Sequence, residues 1–155
     1  MSTKRIRTLT EKLWARNKYT VMAKGYEHYK NVSTALKNAE SNEQLLGVYT
    51  LLKDTLKLPY TRKGMRTTLE HMWGYFKKFA TSEEKELFIM KRNALNDTEI
   101  LTDQDIENIR SYLSELLATY HSDYLKKSHF LHSEEKWNKV YDRKQLKVIT
   151  EVDYL

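Results

Sequence analysis

The chain has 155 residues, a formal net charge of +6 and no cysteine. The lack of cysteine excludes disulfides, thiolate nucleophiles and cysteine-ligated zinc or iron–sulfur sites. No apolar run approaches the about 18 residues of a membrane-spanning helix, and no apolar signal core follows the basic N-terminus. We therefore expect a cytoplasmic protein with one domain, residues 1–155.

The first part of the chain has the apolar periodicity of helices. Residues 9–38 predict one long helix or two helices joined near Gly25, because apolar side chains recur every three or four positions. Ser41 is a predicted cap for a helix that reaches about Lys57. Pro59 ends this pattern, since proline cannot occupy a helix interior.

The next helix, predicted from Thr61 or Arg62 to about Phe79, is the most informative stretch and is called the signature helix below. Its apolar face consists of Met65, Leu69, Met72, Trp73 and Phe76. A second face consists of Thr68, His71, Tyr75 and Lys78. The helix therefore has one side to bury and another that can meet a polar or anionic partner.

The second half of the chain predicts two more long helices. One begins after Thr81 and ends at Asn96-Asp97, and the other runs from Thr102-Asp103 to about Tyr120. Residues 133–142 predict a short helix, and residues 148–155 form a tail without a clear pattern. The predicted fold class is all-α, a compact bundle-like domain of five or six helices.

Three cations lie at the start of the signature helix: Arg62, Lys63 and Arg66. A helix N-terminus offers free N–H groups and the positive end of the helix dipole, so these cations predict a phosphate site. Residues 1–30 carry a further balance of +6, and their Lys18 would extend this basic surface if the first helix lies beside the signature helix. Ordinary solvated charge is the alternative interpretation.

His71 and Tyr75 lie one helical turn apart and allow three interpretations. Tyr75 can stack on a base while His71 donates a hydrogen bond to RNA. His71 can instead act as a general acid or base, because histidine titrates near neutral pH. In the third interpretation both side chains are structural. Gly74 between them suggests the close approach of a ligand or of another helix.

Metal and cofactor motifs are missing from the sequence. His121, His129 and His132 lie near Asp123, but their spacing matches no common metal-binding motif. There is also no glycine-rich phosphate loop and no dinucleotide fingerprint. We expect neither a metal nor a cofactor.

The signature helix resembles the YbgA-type bacterial domain of unknown function. The matching positions are Thr61, Arg62, His71, Gly74, Tyr75, Phe76 and Lys77, then Glu84, Lys85 and Leu87. Weaker matches are Lys18, Tyr19, Met22, Ala23 and Tyr29 before it, and Tyr124, Leu125, Phe130 and Leu131 after it. The resemblance spans about residues 13–131, which leaves residues 133–155 as a C-terminal extension.

The chain departs from the family pattern at several positions. Asn17, Lys24 and Met65 stand where the family has histidine, and residues 96–102 lack the expected proline. Only His71 remains of the matching histidines. If those histidines carry chemistry in the family, this member has lost most of it.

The resemblance also implies a function. YbgA-type domains are often fused to a cysteine-bearing desulfidase domain that acts on thiolated uracil or 4-thiouridine in tRNA, which implies that the YbgA-type part holds RNA. We therefore expect a stand-alone module that binds structured RNA such as tRNA and performs no catalysis. The predicted contacts are Lys18, Arg62, Lys63, Arg66, His71, Tyr75 and Lys78. Two alternatives stay open: a module that docks on a separate desulfidase, and an enzyme of unknown reaction centred on His71.

Overall fold

The computed structural model describes residues 1–97 and 100–155, so Thr98 and Glu99, within the segment that lacks the family's proline, lie outside the described residues. The helices are α1 (Thr3–Lys24), α2 (Tyr26–Asn38), α3 (Asn42–Thr55), α4 (Arg62–Trp73), α5 (Ser82–Asp97), α6 (Asp103–Thr119) and α7 (Asp123–Lys126). A hairpin joins β1 (Lys139–Asp142) to β2 (Gln145–Val148), and 3-10 helices span His129–Leu131 and Glu151–Tyr154. The predicted all-α class is confirmed, with six long helices, the short α7 and one small hairpin in the described part.

Helix α1 is the central element of the fold. It packs against α2, α3, α4 and the hairpin, so side chains around most of its circumference are buried. It ends at Gly25, whose φ of +158° is a backbone angle that other residues rarely adopt. This glycine divides residues 9–38 into two helices, as the sequence predicted.

Two hydrophobic cores lie along α1. The N-terminal half of α1 packs with α2, α3 and the C-terminal residues around Tyr49, Val140 and Ile149. The C-terminal half packs with α4, α5 and α6 around Met65, Leu69 and Phe76. None of the described helices combines the length and the apolar character needed to cross a membrane.

The helix predicted for residues 133–142 is wrong, because Lys139–Asp142 instead pairs with Gln145–Val148 as an antiparallel hairpin. Its two turn residues, Arg143 and Lys144, have φ of 50° and 68°. Such a turn normally carries Asn-Gly, so the sequence contains no hairpin signal here. The C-terminal extension is part of the core at the N-terminal half of α1, where the hydroxyls of Tyr154 and Thr10 lie 2.7 Å apart.

Helix α4 is tightly seated on the end of α1. The Thr61 side chain caps α4 by accepting from the Gly64 N–H at 3.0 Å, and the Thr61 N–H donates to the Ala23 carbonyl at 3.1 Å. A Cβ at Gly64 would lie 2.4 Å from the Ala23 carbonyl oxygen. Gly64 is therefore the residue that allows the two backbones to approach.

Two expectations for the signature helix are wrong, and a third is wrong in part. The helix ends at Trp73 rather than near Phe79, and residues 74–79 form turns. Thr68 lies on the buried side, where its hydroxyl donates to the Tyr19 carbonyl at 3.5 Å. Gly74 is exposed, and a Cβ there would meet only the His71 carbonyl oxygen at 3.1 Å, so no other described helix approaches it, and the approach of a ligand stays a prediction.

Candidate nucleic-acid interface

The residues predicted to contact nucleic acid fall into four places. Lys18 and Tyr75 meet at a cluster of tyrosines, whereas Lys63 and His71 line a groove between α2 and α4. The other three predicted residues are distributed as follows: Arg62 and Arg66 are exposed at the start of α4, and Lys78 lines a separate basic pocket.

The tyrosine cluster consists of Lys18, Tyr19, Tyr75 and Tyr124. The Tyr75 and Tyr124 rings are stacked, with centroids 6.0 Å apart and planes 8° apart. They are 40% and 38% exposed, so part of each ring is accessible from solvent. Lys18 Nζ lies 4.7 Å from the Tyr124 centroid, which places a cation beside these rings.

Tyr19 is the buried member of this cluster and anchors Tyr75. Its hydroxyl donates to the Tyr75 hydroxyl at 3.3 Å. Burial, and then the hydrogen bond with Tyr75, raise the pKa of Tyr19 well above its ordinary value. Tyr19 therefore keeps its proton, and stays a hydrogen-bond donor to Tyr75, at alkaline pH where an ordinary tyrosine ionises.

The α2–α4 groove has a volume of ≈ 680 Å³ and contains both aromatic and charged groups. The Tyr26 ring lies 6.4 Å from the His71 ring, and Lys30 Nζ lies 5.8 Å from the Tyr26 centroid. Lys63 adds a second cation, and Glu27 is the one carboxylate in the lining. The groove can therefore accept a polar, partly anionic ligand.

The groove and the tyrosine cluster each contain a set of neighbouring rings, and we call the two sets together the aromatic belt. Its members are Trp14, Tyr29, Tyr26, His71, Tyr75 and Tyr124. Tyr29 connects Tyr26 to Trp14, with both centroid distances at 5.4 Å. Because α4 ends at Trp73 and no ring contact joins His71 to Tyr75 among the described residues, the belt has two parts, one in the groove and one in the tyrosine cluster. The groove part lies beside Lys30 and the cluster part beside Lys18.

The two arginines at the start of α4 are exposed. Arg66 also has partners within the protein: its Nε lies 3.1 Å from Glu70 Oε1, and its Nη1 donates to Asn96 Oδ1 at 2.8 Å. Part of its charge is thus compensated before any ligand binds.

Lys78 lies in a four-cation pocket made of Lys77, Lys78, Lys85 and Arg92, with a volume of ≈ 510 Å³. Its floor is the stacked pair Trp73 and Phe88, whose centroids are 4.6 Å apart. No carboxylate lines this pocket, and none of the four cations belongs to an ion pair between described residues. The pocket is therefore a concentration of uncompensated positive charge.

A further pocket, of ≈ 420 Å³, lies between α1, α7 and the hairpin, and we call it the α1–hairpin pocket. It is lined by Lys12, Ala15, Arg16, Asp123, Tyr124, Lys127, Val140 and Tyr141. Tyr124 belongs to both this pocket and the tyrosine cluster. The sequence did not predict the pocket, because its outer wall belongs to the hairpin that had been predicted as a helix.

Two basic residues of α1 are buried rather than available on the surface. Arg16 donates to the Lys127 carbonyl at 3.1 Å and pairs with Glu135, whose pKa this bond lowers. Lys24 donates to the Leu58 carbonyl at 2.6 Å, with its Nζ 4.0 Å from the Tyr60 centroid. Burial, with a smaller contribution from Arg110, lowers the pKa of Lys24 to about 8.

The histidines near Asp123 do not assemble around it in the described structure. His121 lies 2.7 Å from Asp123, but His129 contacts the Glu135 carbonyl and His132 the Lys126 carbonyl. Ligand atoms of His132, Glu134 and Glu135 lie within 4.8 Å of one another and could hold a cation. Of these, Glu135 is already paired with Arg16.

Comparisons with known proteins identify a family rather than an activity. Neither the comparison with curated proteins nor that with solved structures gave a significant match. One family model matches residues 18–133, a span that contains the signature helix and agrees with the YbgA-type resemblance. The chain therefore belongs to the family described as a protein of unknown function, DUF1722.

Proposed function

We propose that the protein is a binding module for structured RNA, such as tRNA, and that it acts without chemistry of its own. The observation that carries this proposal is the tyrosine cluster, in which two stacked and partly exposed rings lie beside the ammonium group of Lys18. Tyrosine faces stack on unpaired bases, while lysines attract the phosphates next to them.

RNA is favoured over duplex DNA for two reasons. Exposed rings need bases that are out of a double helix, and RNA loops and ends supply such bases. The second reason is the YbgA-type resemblance, since the desulfidase domains fused to that family act on tRNA. The four-cation pocket then supplies backbone contacts that are independent of sequence.

A second candidate, docking on another protein, is supported by exposed apolar side chains around α5. Phe79 and Met90 are 65% and 66% exposed, and Ile89 lies at the rim of the four-cation pocket. Exposed apolar groups of this kind often mark protein contacts. For the third possibility, catalysis by His71, no supporting contact exists: among the described residues no carboxylate is hydrogen-bonded to His71.

Fluorescence anisotropy with labelled tRNA and with duplex DNA of similar mass, each at several salt concentrations, tests the RNA proposal. We expect tRNA to bind more tightly than the duplex, with an affinity that falls steeply with salt. Replacing Lys77, Lys78 and Lys85 by Gln should reduce the slope of log affinity against log salt by about two, at about 0.7 per lost contact.

The matched control replaces by Gln three exposed lysines that do not line the four-cation pocket: Lys4, Lys37 and Lys144. It removes the same charge and should change the slope by less than the pocket variant. Absence of tRNA binding at low salt, or equal affinity for the duplex, would overturn the proposal. Binding of a desulfidase without binding of RNA would favour the second candidate.

A further inference from the structure

We infer that the α1–hairpin pocket is a binding site for a single nucleotide, with the base against its tyrosines and the phosphate at its cations. This inference deepens the RNA-binding proposal by naming the part of the ligand held at one place. The volume of the α1–hairpin pocket, ≈ 420 Å³, is in the range of small-molecule sites. The experiment below distinguishes a free nucleotide from a nucleotide of RNA.

The walls of the pocket suit a planar ring. Tyr124 and Tyr141 are 38% and 52% exposed, and Ala15 and Val140 supply apolar surface between α1 and the hairpin. The rim tyrosines can therefore contact the base while the small aliphatic side chains leave space for it. Asp123, the one carboxylate of the lining, can accept from a base N–H, although it also contacts His121 at 2.7 Å.

The cations of the pocket suit a phosphate. Lys12 Nζ lies 3.1 Å from the Tyr141 carbonyl oxygen, and Lys127 Nζ lies 5.9 Å from the Tyr141 centroid, so both ammonium groups are close to the hairpin wall. Lys127 belongs to no ion pair among the described residues. Both can therefore reach the phosphate of a nucleotide whose base lies on Tyr141.

Arg16 provides independent support for an anionic ligand. Its side chain is 7% exposed and held by Glu135 and the Lys127 carbonyl, yet its Nε is buried without a hydrogen-bond partner in the described structure. An unpaired buried donor of a charged group is costly, so it calls for an explanation such as a bound ion. Arg16 also lines the pocket, so its guanidinium group belongs to the wall that a phosphate would face.

The test is isothermal titration of the protein with adenosine and uridine 5′-monophosphates, with uridine and inorganic phosphate as partial ligands. We expect the nucleotides to bind and the partial ligands to bind at least tenfold more weakly, because each makes only part of the contacts. Tyr141→Ala and Lys127→Gln should each weaken nucleotide binding by about tenfold, whereas Tyr141→Phe should not.

Two controls match these variants closely. Leu146 pairs with Tyr141 across the hairpin and is exposed outside the pocket, so Leu146→Ala tests damage to the hairpin itself. Lys126→Gln removes the same charge next to Lys127. Equal losses in variant and control, or no nucleotide binding at millimolar concentration, would overturn the inference. Lys127 is exposed, so its variant remains informative if Tyr141→Ala does not fold.

Repeating the titration with tRNA bound separates the two sources of the ligand. If tRNA blocks the nucleotide, the pocket holds a nucleotide of RNA. If both bind together, the pocket holds a free nucleotide, and the RNA-binding proposal stands or falls on the anisotropy assay alone. Binding of nucleotides by a protein that does not bind tRNA would leave this inference in place and reject the RNA proposal.

Discussion

At the scale of single residues, Lys24 is a cation that is buried although no carboxylate among the described residues is paired with it. Its ammonium group donates to the Leu58 carbonyl and lies on the Tyr60 ring, which Arg110 also contacts through a hydrogen bond to the Tyr60 hydroxyl at 2.9 Å. The two cations share one aromatic partner, and burial lowers the pKa of Lys24 to about 8. Lys24 thus serves the junction between α1 and the segment before α4.

The lowered pKa predicts a pH dependence of stability. Lys24 loses its proton at lower pH in the folded state than in the unfolded state. Between about pH 8 and 10.5, the ordinary pKa of lysine, the folded protein therefore binds fewer protons than the unfolded protein. Its contribution to the free energy of unfolding should therefore rise with pH across that window. Urea unfolding of wild type and Lys24→Met at several pH values measures this as a difference in slope.

Lys37→Met, at an exposed position in the last turn of α2, is the control for the loss of one lysine. It should follow the wild-type pH profile. A Lys24→Met profile parallel to wild type across the window would mean that Lys24 is charged and solvated in the folded protein.

At the scale of elements, the contact between α1 and α4 positions His71 and the residues of the tyrosine cluster. Lys18 and Tyr19 come from α1, whereas His71 and Tyr75 lie on and just after α4. The Ala23 carbonyl accepts from Thr61 and lies directly against Gly64, so the spacing of the helices is set at this end. A shift of α4 would therefore move His71 and Tyr75 relative to Lys18.

Gly64→Ala should destabilise the protein by about 1–3 kcal/mol, because the added Cβ would lie 2.4 Å from a backbone oxygen. Gly47→Ala is the matched control: Gly47 lies inside α3 with nothing within 4 Å of an added Cβ. That change should instead stabilise by about 0.5–1 kcal/mol through helix propensity. Thermal or urea unfolding of both variants measures the contrast, and equal effects would contradict the close packing at Gly64.

Local signals explain which elements the sequence could predict. Gly25, Ser41, Thr61 and Thr102 mark helix boundaries through backbone conformation or capping, and the structure has helix ends at each of them. The hairpin was not predicted, because Arg143 and Lys144 adopt the positive φ angles of a turn although arginine and lysine are not typical turn residues.

The candidate site was only partly predictable for a different reason. Spacing along one helix linked His71 with Tyr75, but the stacking of Tyr124 on Tyr75 is a contact between distant parts of the chain. Periodicity carries no information about such pairs. The burial of Arg16 and Lys24 is unpredictable for the same reason, because their partners Glu135 and Leu58 come from other segments.

At the scale of the whole molecule, the segments outside the family match complete one of the two cores. Residues before 18 and after 133 meet where Thr10 contacts Tyr154 and Arg5 pairs with Asp142. The tyrosine cluster lies within the matched span, whereas Lys12, Arg16 and Tyr141 of the α1–hairpin pocket lie outside it. The pocket is thus lined both by residues within the family match and by residues on either side of it.

The most direct test of RNA binding by the tyrosine cluster compares ring removal with hydroxyl removal at Tyr75 and Tyr124, measured as tRNA affinity by anisotropy. The double substitution to Ala should weaken binding by about tenfold or more, because base stacking is worth about 1–3 kcal/mol per base. The double substitution to Phe should keep nearly full affinity, although loss of the Tyr19–Tyr75 hydrogen bond should lower stability by about 0.5–1.5 kcal/mol. Unchanged tRNA affinity in a folded Ala variant would contradict a role for these rings in binding RNA.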